Sequence, residues 1–384
     1  MWRHIASNAL SIFVVLLVVG GGLIAWGRSQ YYEAGPLSQA ICLRVESGSN
    51  MRQVSEDLAA LDAVTHPAVL RMGAEYTDKA QELKAGSFLI PEAASMADIV
   101  GIVTRGGQST CGTEIVHRIG VTEETVQVRE LDVTTGRFAA VAEFDPEEED
   151  APVEYTEARE QSDTRYRVAV AEGVTSWQVV DALDDVEFLS GEVAEVPPEG
   201  VLAPESYEVT VGDDRVELID RMISLQSSRL AAAWDGRADN LPVDTPDEAL
   251  ILASIIEKET GIPEERDQVA SVFVNRLRRG MRLQTDPTVI YGVTGGEGTL
   301  GRGLRRSELD APTPYNTYVV EGLPPTPIAN PGLASLQAAV NPAETDLLFF
   351  VADGSGGHAF AASLDEHNEN VARWREIEAE DAGQ

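Results

Sequence analysis

The sequence is short of metal ligands and of positive charge. It holds two cysteines, Cys42 and Cys111, and five histidines, at positions 4, 66, 117, 358 and 367. Neither an HExxH nor a CxxC pattern occurs, which excludes the usual zinc frameworks, and no metal is expected. Lys and Arg number 29 against 64 Asp and Glu, a formal net charge of −35 over 384 residues. A surface that acidic repels phosphate backbones and anionic headgroups, so a general nucleic-acid binder is excluded. Aromatic residues make up only 6%, yet an apolar share of 43% suffices for buried cores. The length calls for two or three globular units.

Long hydrophobic runs are also scarce. One is present, Ala9 to Trp26, eighteen residues without a charge. It meets the length for a bilayer-spanning helix, with Trp2 and Trp26 at the two interfaces. No clear small-x-small cleavage site stands before Tyr31 and Tyr32, which favours an uncleaved anchor over a signal peptide. The remainder then lies on one side, and Cys42 and Cys111 favour the outer, oxidising side. They bracket one compact segment, and a disulfide there contributes about 4 kcal/mol in the chain-entropy model.

An internal echo appears at an offset of 125 positions. Val45 to Val54 (VESGSNMRQV) and Val170 to Val179 (VAEGVTSWQV) each give a short strand, a Gly turn, a helix-capping Asn50 or Thr175, and an amphipathic helix. Each is followed by a second pattern, from Lys84 to Val103 and from Ala203 to Met222. Between the two units, Glu143 to Arg165 holds ten acids against Arg159 and Arg165. Its low apolar content predicts a solvated loop.

Beyond Thr245 the character changes. Thr245 caps a helix, Pro246 takes its first position and Glu248 completes a capping box. Ala249 to Ile256 is apolar apart from Ser254, so this helix is buried nearly all round. It ends at Glu257-Lys258-Glu259-Thr260, before Gly261 and Pro263. A second helix is expected from about Glu264 to Arg279. Nine of the 29 basic residues fall between Lys258 and Arg306 against six acids, a local positive surface in an acidic chain.

Glu257 stands at the end of the buried helix. Two readings are open from the residues alone: a structural carboxylate paired with Lys258 or Arg266, or a desolvated carboxyl serving as general acid. Glu259 is turned away by about 200° of helix, so the two cannot flank one glycosidic bond. Asp286 is the best-placed second carboxylate in sequence. Gln284, Thr285 and Asp286 offer donors and acceptors for sugar hydroxyls; Tyr315 and Asn316 repeat that chemistry, and the rigid stretch at Asn330 to Gly332 walls a groove.

LASIIEKET (252–260), VASVFVNRLRRGMRLQTDPTVIYG (269–292), PYNTYVVEGLPPTPIANPG (314–332) and FFVADGSGGHAF (349–360) together resemble the endolytic murein transglycosylases of the MltG (YceG-like) type. The resemblance implies an α+β chain with an N-terminal transmembrane helix (1–30), a LysM-like module (42–112), a linker with an acidic insertion (113–165), a second LysM-like unit (166–225) and a C-terminal α+β catalytic domain (226–384). It implies that Glu257 protonates the oxygen bridging N-acetylmuramic acid and N-acetylglucosamine. Glu257 then acts as base toward the muramic acid 6-hydroxyl, which closes a 1,6-anhydro ring. The internal nucleophile removes the need for a second catalytic carboxylate. Gln284, Thr285, Asp286, Tyr315, Asn316 and Asn330 are implied groove residues. No cofactor is implied; the partners are peptidoglycan strands, the inner membrane and peptidoglycan synthases. A non-catalytic peptidoglycan-binding anchor and a muramidase-type hydrolase using Asp286 remain alternatives.

Overall fold

The computed structural model describes residues 2–105, 109–161 and 163–381. The fold is mixed α+β, and the chain divides into two compact units. One comprises 1–116, 127–144 and 149–166; the other comprises 117–126, 145–148 and 167–384.

The first unit opens with α1 (Trp2–Tyr32), an uninterrupted helix. Among the described residues it is the one helix long and apolar enough to cross a membrane, by length and composition. The side chains of Trp2 and Arg3 lie outside the described part. The last turn of α1 belongs to the globular unit: Tyr31 is buried and its ring fills the space above Gly73. Then come β1 (Ile41–Val45), α2 (Met51–Ala60), α3 (Pro67–Tyr76), β2 (Gly86–Ile90) and α4 (Met96–Val103). β1 and β2 pair antiparallel, with Ile41 opposite Ile90. Leu43, Val54, Leu58, Leu70, Ile90 and Ile99 form the core. Asn50 caps α2 by accepting from the amides of Arg52 and Gln53, while the Gln53 side chain returns to the Asn50 amide. A disulfide joins Cys42 and Cys111.

β3 (Thr113–Ile119), β4 (Glu124–Asp132), β5 (Arg137–Phe144), β6 (Arg165–Val170) and β7 (Ser206–Val209) make a five-stranded sheet in the order β5-β4-β3-β6-β7. α5 (Val153–Glu160) lies between β5 and β6 in sequence. The expected solvated loop at 143–165 is thus corrected. Ala158 of α5 is buried, and Tyr155 meets Phe144 edge-on at 5.2 Å. Asp163, its side chain 7% exposed, binds Arg44 at 2.9 Å and accepts from Ser87. A few apolar residues among many acids are enough to seat one short helix.

The second unit continues through α6 (Ser176–Asp184), α7 (Arg215–Asp235), α8 (Pro246–Glu259), α9 (Arg266–Arg278), α10 (Asp286–Thr294), α11 (Arg306–Leu309), α12 (Leu333–Val340), the antiparallel pair β8 (Phe349–Ala352) and β9 (His358–Ala361), and α13 (Leu364–Asp381). Thr175 caps α6 with Gln178 reaching back, the same arrangement as Asn50 and Gln53 at α2. α8 is the centre of this unit. α7, α9, α10 and α12 all pack on it, and Ala249 to Ile256 are buried without a break. At its start Thr245 accepts from the Glu248 amide, while the Glu248 carboxylate accepts from Asp244 rather than from Thr245. The one polar residue of the run, Ser254, donates to the Ile251 carbonyl and accepts from the Ile328 amide at 3.0 Å. It thereby ties the proline-rich loop before α12 to the buried helix.

Candidate active site

The last turn of α8 sends its two glutamates apart. Glu257 is half-buried, and its Oε2 accepts the backbone amide of Gly332 at 2.9 Å. Gly332 is the N-cap of α12, so the carboxylate lies at the positive end of that helix. Glu259 points to the other side and accepts from the Thr285 hydroxyl. Loss of water pushes the Glu259 carboxyl above its ordinary range, with the Asp286 charge adding to the effect. Lys258 lies between the two and donates from Nζ to the Gly173 carbonyl at 3.1 Å. Burial holds the Lys258 ammonium below its usual value, against the opposing pull of Glu257 and Glu199.

The wall beside Glu257 comes from two distant stretches. The turn at Glu172 to Thr175 meets the loop at Asn330 to Gly332 through paired backbone bonds. Gly173 donates to the Asn330 carbonyl and Asn330 donates to Val174, both at 2.9 Å. Gly173 has a φ of 82°, and its α-carbon faces the side chains of Glu257 and Lys258. The Asn330 side chain joins Val174, Ser176 and the Leu202 amide. Gln226 of α7 donates to the Pro331 and Gly200 carbonyls.

Of the residues expected to line a groove, three reach solvent. Gln284 and Asp286 are exposed, and Tyr315 is half-buried. Gln284 has a φ of 51°, a left-handed conformation uncommon for a residue with a side chain. Asp286 accepts from the Tyr318 hydroxyl at 2.7 Å. Tyr315 stands 5.0 Å from the Tyr291 ring, and its hydroxyl shares a hydrogen bond with Thr326. The other three are enclosed. Thr285 is 2% exposed and bonded to Glu259 and Thr317. Asn316 and Asn330 are both 0% exposed. The Asn316 amide donates to the carbonyls of Glu308, Leu309 and Ala311, and its oxygen accepts from Tyr318. These three hold the walls and leave no polar atom free for a sugar.

Sequence reasoning missed Glu172, Glu199 and Tyr291, and named Lys258 only as an ion-pair partner of Glu257. Glu199 is half-buried, and desolvation raises its carboxyl although the Ser176 amide donates to it at 2.8 Å. Burial and the Glu199 charge raise the Tyr291 phenol as well. The signal for Glu172 was present in the echo, whose turns align Glu172-Gly173 with Ser47-Gly48. Among the described residues no group of three His, Cys, Asp or Glu is placed to hold a metal ion.

Fold and site define an α+β chain with a solvent-reachable carboxylate at the end of a buried helix, against a helix N-terminus. A model of the YceG-like family matches residues 43–373, and the chain belongs to that family. A Streptococcus pneumoniae protein named endolytic murein transglycosylase is 28% identical over 383 residues, spanning 96% of this chain and 65% of its own length. A Bacillus subtilis protein of the same name is 34% identical over 206 residues, 50% of this chain and 56% of that protein. The chain thus spans less than two thirds of either relative. A crystal structure of a yceG-like protein from Listeria monocytogenes is 24% identical and covers 86% of this chain and 98% of that one, with a TM-score of 0.45.

Proposed function

We propose that the chain is a membrane-anchored endolytic transglycosylase of peptidoglycan that cuts between N-acetylmuramic acid and N-acetylglucosamine and leaves 1,6-anhydro ends. The observation that carries this reading is the Glu257 carboxyl, held on one oxygen by the Gly332 amide and reachable from solvent. Membership of the YceG-like family, and relatives named endolytic murein transglycosylase, support the substrate class. Glu257 protonates the bridging oxygen as the glycosidic bond breaks. It then accepts the proton of the muramic acid 6-hydroxyl as that oxygen bonds to C1. The tethered hydroxyl replaces water and has a large effective concentration. Gln284, Asp286 and Tyr315 reach solvent in the same unit and are the proposed contacts to the glycan.

In this reading α1 anchors the chain in the inner membrane with the rest in the periplasm. The units at 42–112 and 166–225 are LysM-like, and peptidoglycan synthases are the proposed partners in assembly. The test is mass spectrometry of fragments released from purified sacculi. Anhydro ends support the reading; reducing ends make the chain a hydrolase, and no fragments make it a binding protein.

A further inference from the structure

The turn that meets the end of α8 carries a second carboxyl. Glu172 precedes Gly173, whose carbonyl accepts from Lys258 and whose amide donates to Asn330. Its carboxyl group occupies the space next to the Gly332 α-carbon: a methyl added there falls 1.7 Å from Glu172 Oε1. The backbone at Gly332 has a φ of −71°, which any residue adopts, so a side chain there is opposed not by conformation but by Glu172, whose flexible side chain would have to move. The same Gly332 gives its amide to Glu257. Two carboxyl groups therefore meet one glycine, one on its amide and one on its α-carbon, and Glu172 remains exposed to solvent.

We propose that Glu172 is a positioning residue of the acid site that acts through Glu257: it keeps the Gly332 loop in place and brings a second carboxyl to the glycine that binds Glu257. This rests on the transglycosylase reading. Carboxyls that feel each other's charge do not ionise independently, and their protons belong to the pair. The Glu172 carboxyl is raised by loss of water first and by the Glu257 charge second, while Arg266 and Arg229 oppose the shift and Glu205 adds to it. Lys258 faces Glu257 from the same helix turn, and Glu199 faces Lys258.

The experiment uses the full chain and sacculi. For Glu172→Gln, the alkaline limb of the kcat/KM profile moves to lower pH by about one unit, the lower end of the shift expected from a nearby like charge. Gly332→Ala, by pushing the carboxyl aside, lowers the rate by about tenfold to a hundredfold, and does so much less in a Glu172→Ala background. A third measurement needs no activity. In protein labelled with 13C at glutamate carboxyls, the Glu172 titration midpoint falls in Glu257→Gln. A Glu172→Gln profile superimposed on that of active wild type, a Gly332→Ala loss equal in both backgrounds, or an unmoved Glu172 midpoint overturns the role of Glu172. A wild type that releases no anhydro ends overturns the transglycosylase reading, and the titration still decides whether the carboxyls are coupled.

Discussion

The Gly332 amide donates to Glu257 Oε2 at 2.9 Å, and no such bond links Glu257 to Glu259, two residues further along the same helix. The separation follows from helix geometry, since two residues turn the side chain by about 200°. One carboxyl is left facing the loop before α12, the other facing Thr285 at the start of α10. The roles proposed for them differ accordingly.

Glu259 is expected to matter for stability rather than chemistry. Its carboxyl is raised above the ordinary value of 4.5, so the folded state binds its proton more tightly than the unfolded chain. The stability this group contributes is complete below the unfolded value and is lost as pH rises through the folded one. Glu259→Gln should therefore gain on wild type with rising pH, measured by denaturant unfolding across pH 4 to 8. A difference that is constant over this range contradicts the buried-carboxyl account. Glu259→Ala leaves the Thr285 hydroxyl without its acceptor and should cost about 1–3 kcal/mol.

The disulfide closes a loop of 69 residues between β1 and the segment before β3. In the chain-entropy model a loop of that size contributes about 4 kcal/mol. Cys42→Ala with Cys111→Ala should lower the midpoint of the first unit sharply, and alkylation of exported protein without reductant should label neither cysteine. Full labelling of both contradicts the pairing.

The acidic stretch is expected to divide in two under mutation. Glu147 is raised chiefly by the Glu124 charge, so like charges crowd it. Deleting 147–150 should leave the melting temperature unchanged or slightly higher. Asp163→Ala should cost about 1–3 kcal/mol, because Arg44 and Ser87 lose a largely buried acceptor. Equal effects from the two changes would return the whole stretch to a solvated loop.

How much of this was legible in the sequence is clearest at α8. Thr245, Pro246 and the run to Ile256 announced a capped, buried helix, and the divergence of Glu257 and Glu259 followed from spacing alone. Asn316 and Asn330 show where such reading stops. Asn316 was read for its sugar-binding chemistry and Asn330 as part of a groove wall, and the resemblance implied both as groove residues. The Asn316 partners, the carbonyls of Glu308, Leu309 and Ala311, are set by the path of an irregular loop, and the Leu202 amide that Asn330 accepts from is fixed only when distant stretches fold together. α10 had its signals, Pro287 at the first turn and Gly295 at the end with a φ of 68°. Thr285 and Asp286 drew attention as ligands and hid them. Glu172 was missed because the repeat was valued for its similarities, whereas the site lies where the two turns differ.

The apolar helix gives a prediction of its own. Full-length chain should sediment with membranes, and a chain beginning at Arg28 should remain soluble and folded. Tyr31 is 6% exposed and packs over Gly73, so truncation past it removes part of a core. Tyr31→Ala should cost about 3 kcal/mol, as large-to-small core changes do. Full-length chain found only in a soluble fraction contradicts the anchor.

The central claim is that Glu257 carries the acid–base chemistry of glycan cleavage. Its most direct test is quantitative mass spectrometry of fragments released from purified sacculi by wild type and by Glu257→Gln at equal concentrations. Glutamine keeps the size of the side chain and an acceptor for the Gly332 amide but carries no titrating proton. The account predicts 1,6-anhydro ends from wild type and release at least about a hundredfold lower from a folded Glu257→Gln. A folded Glu257→Gln that keeps more than about a tenth of the wild-type rate contradicts it.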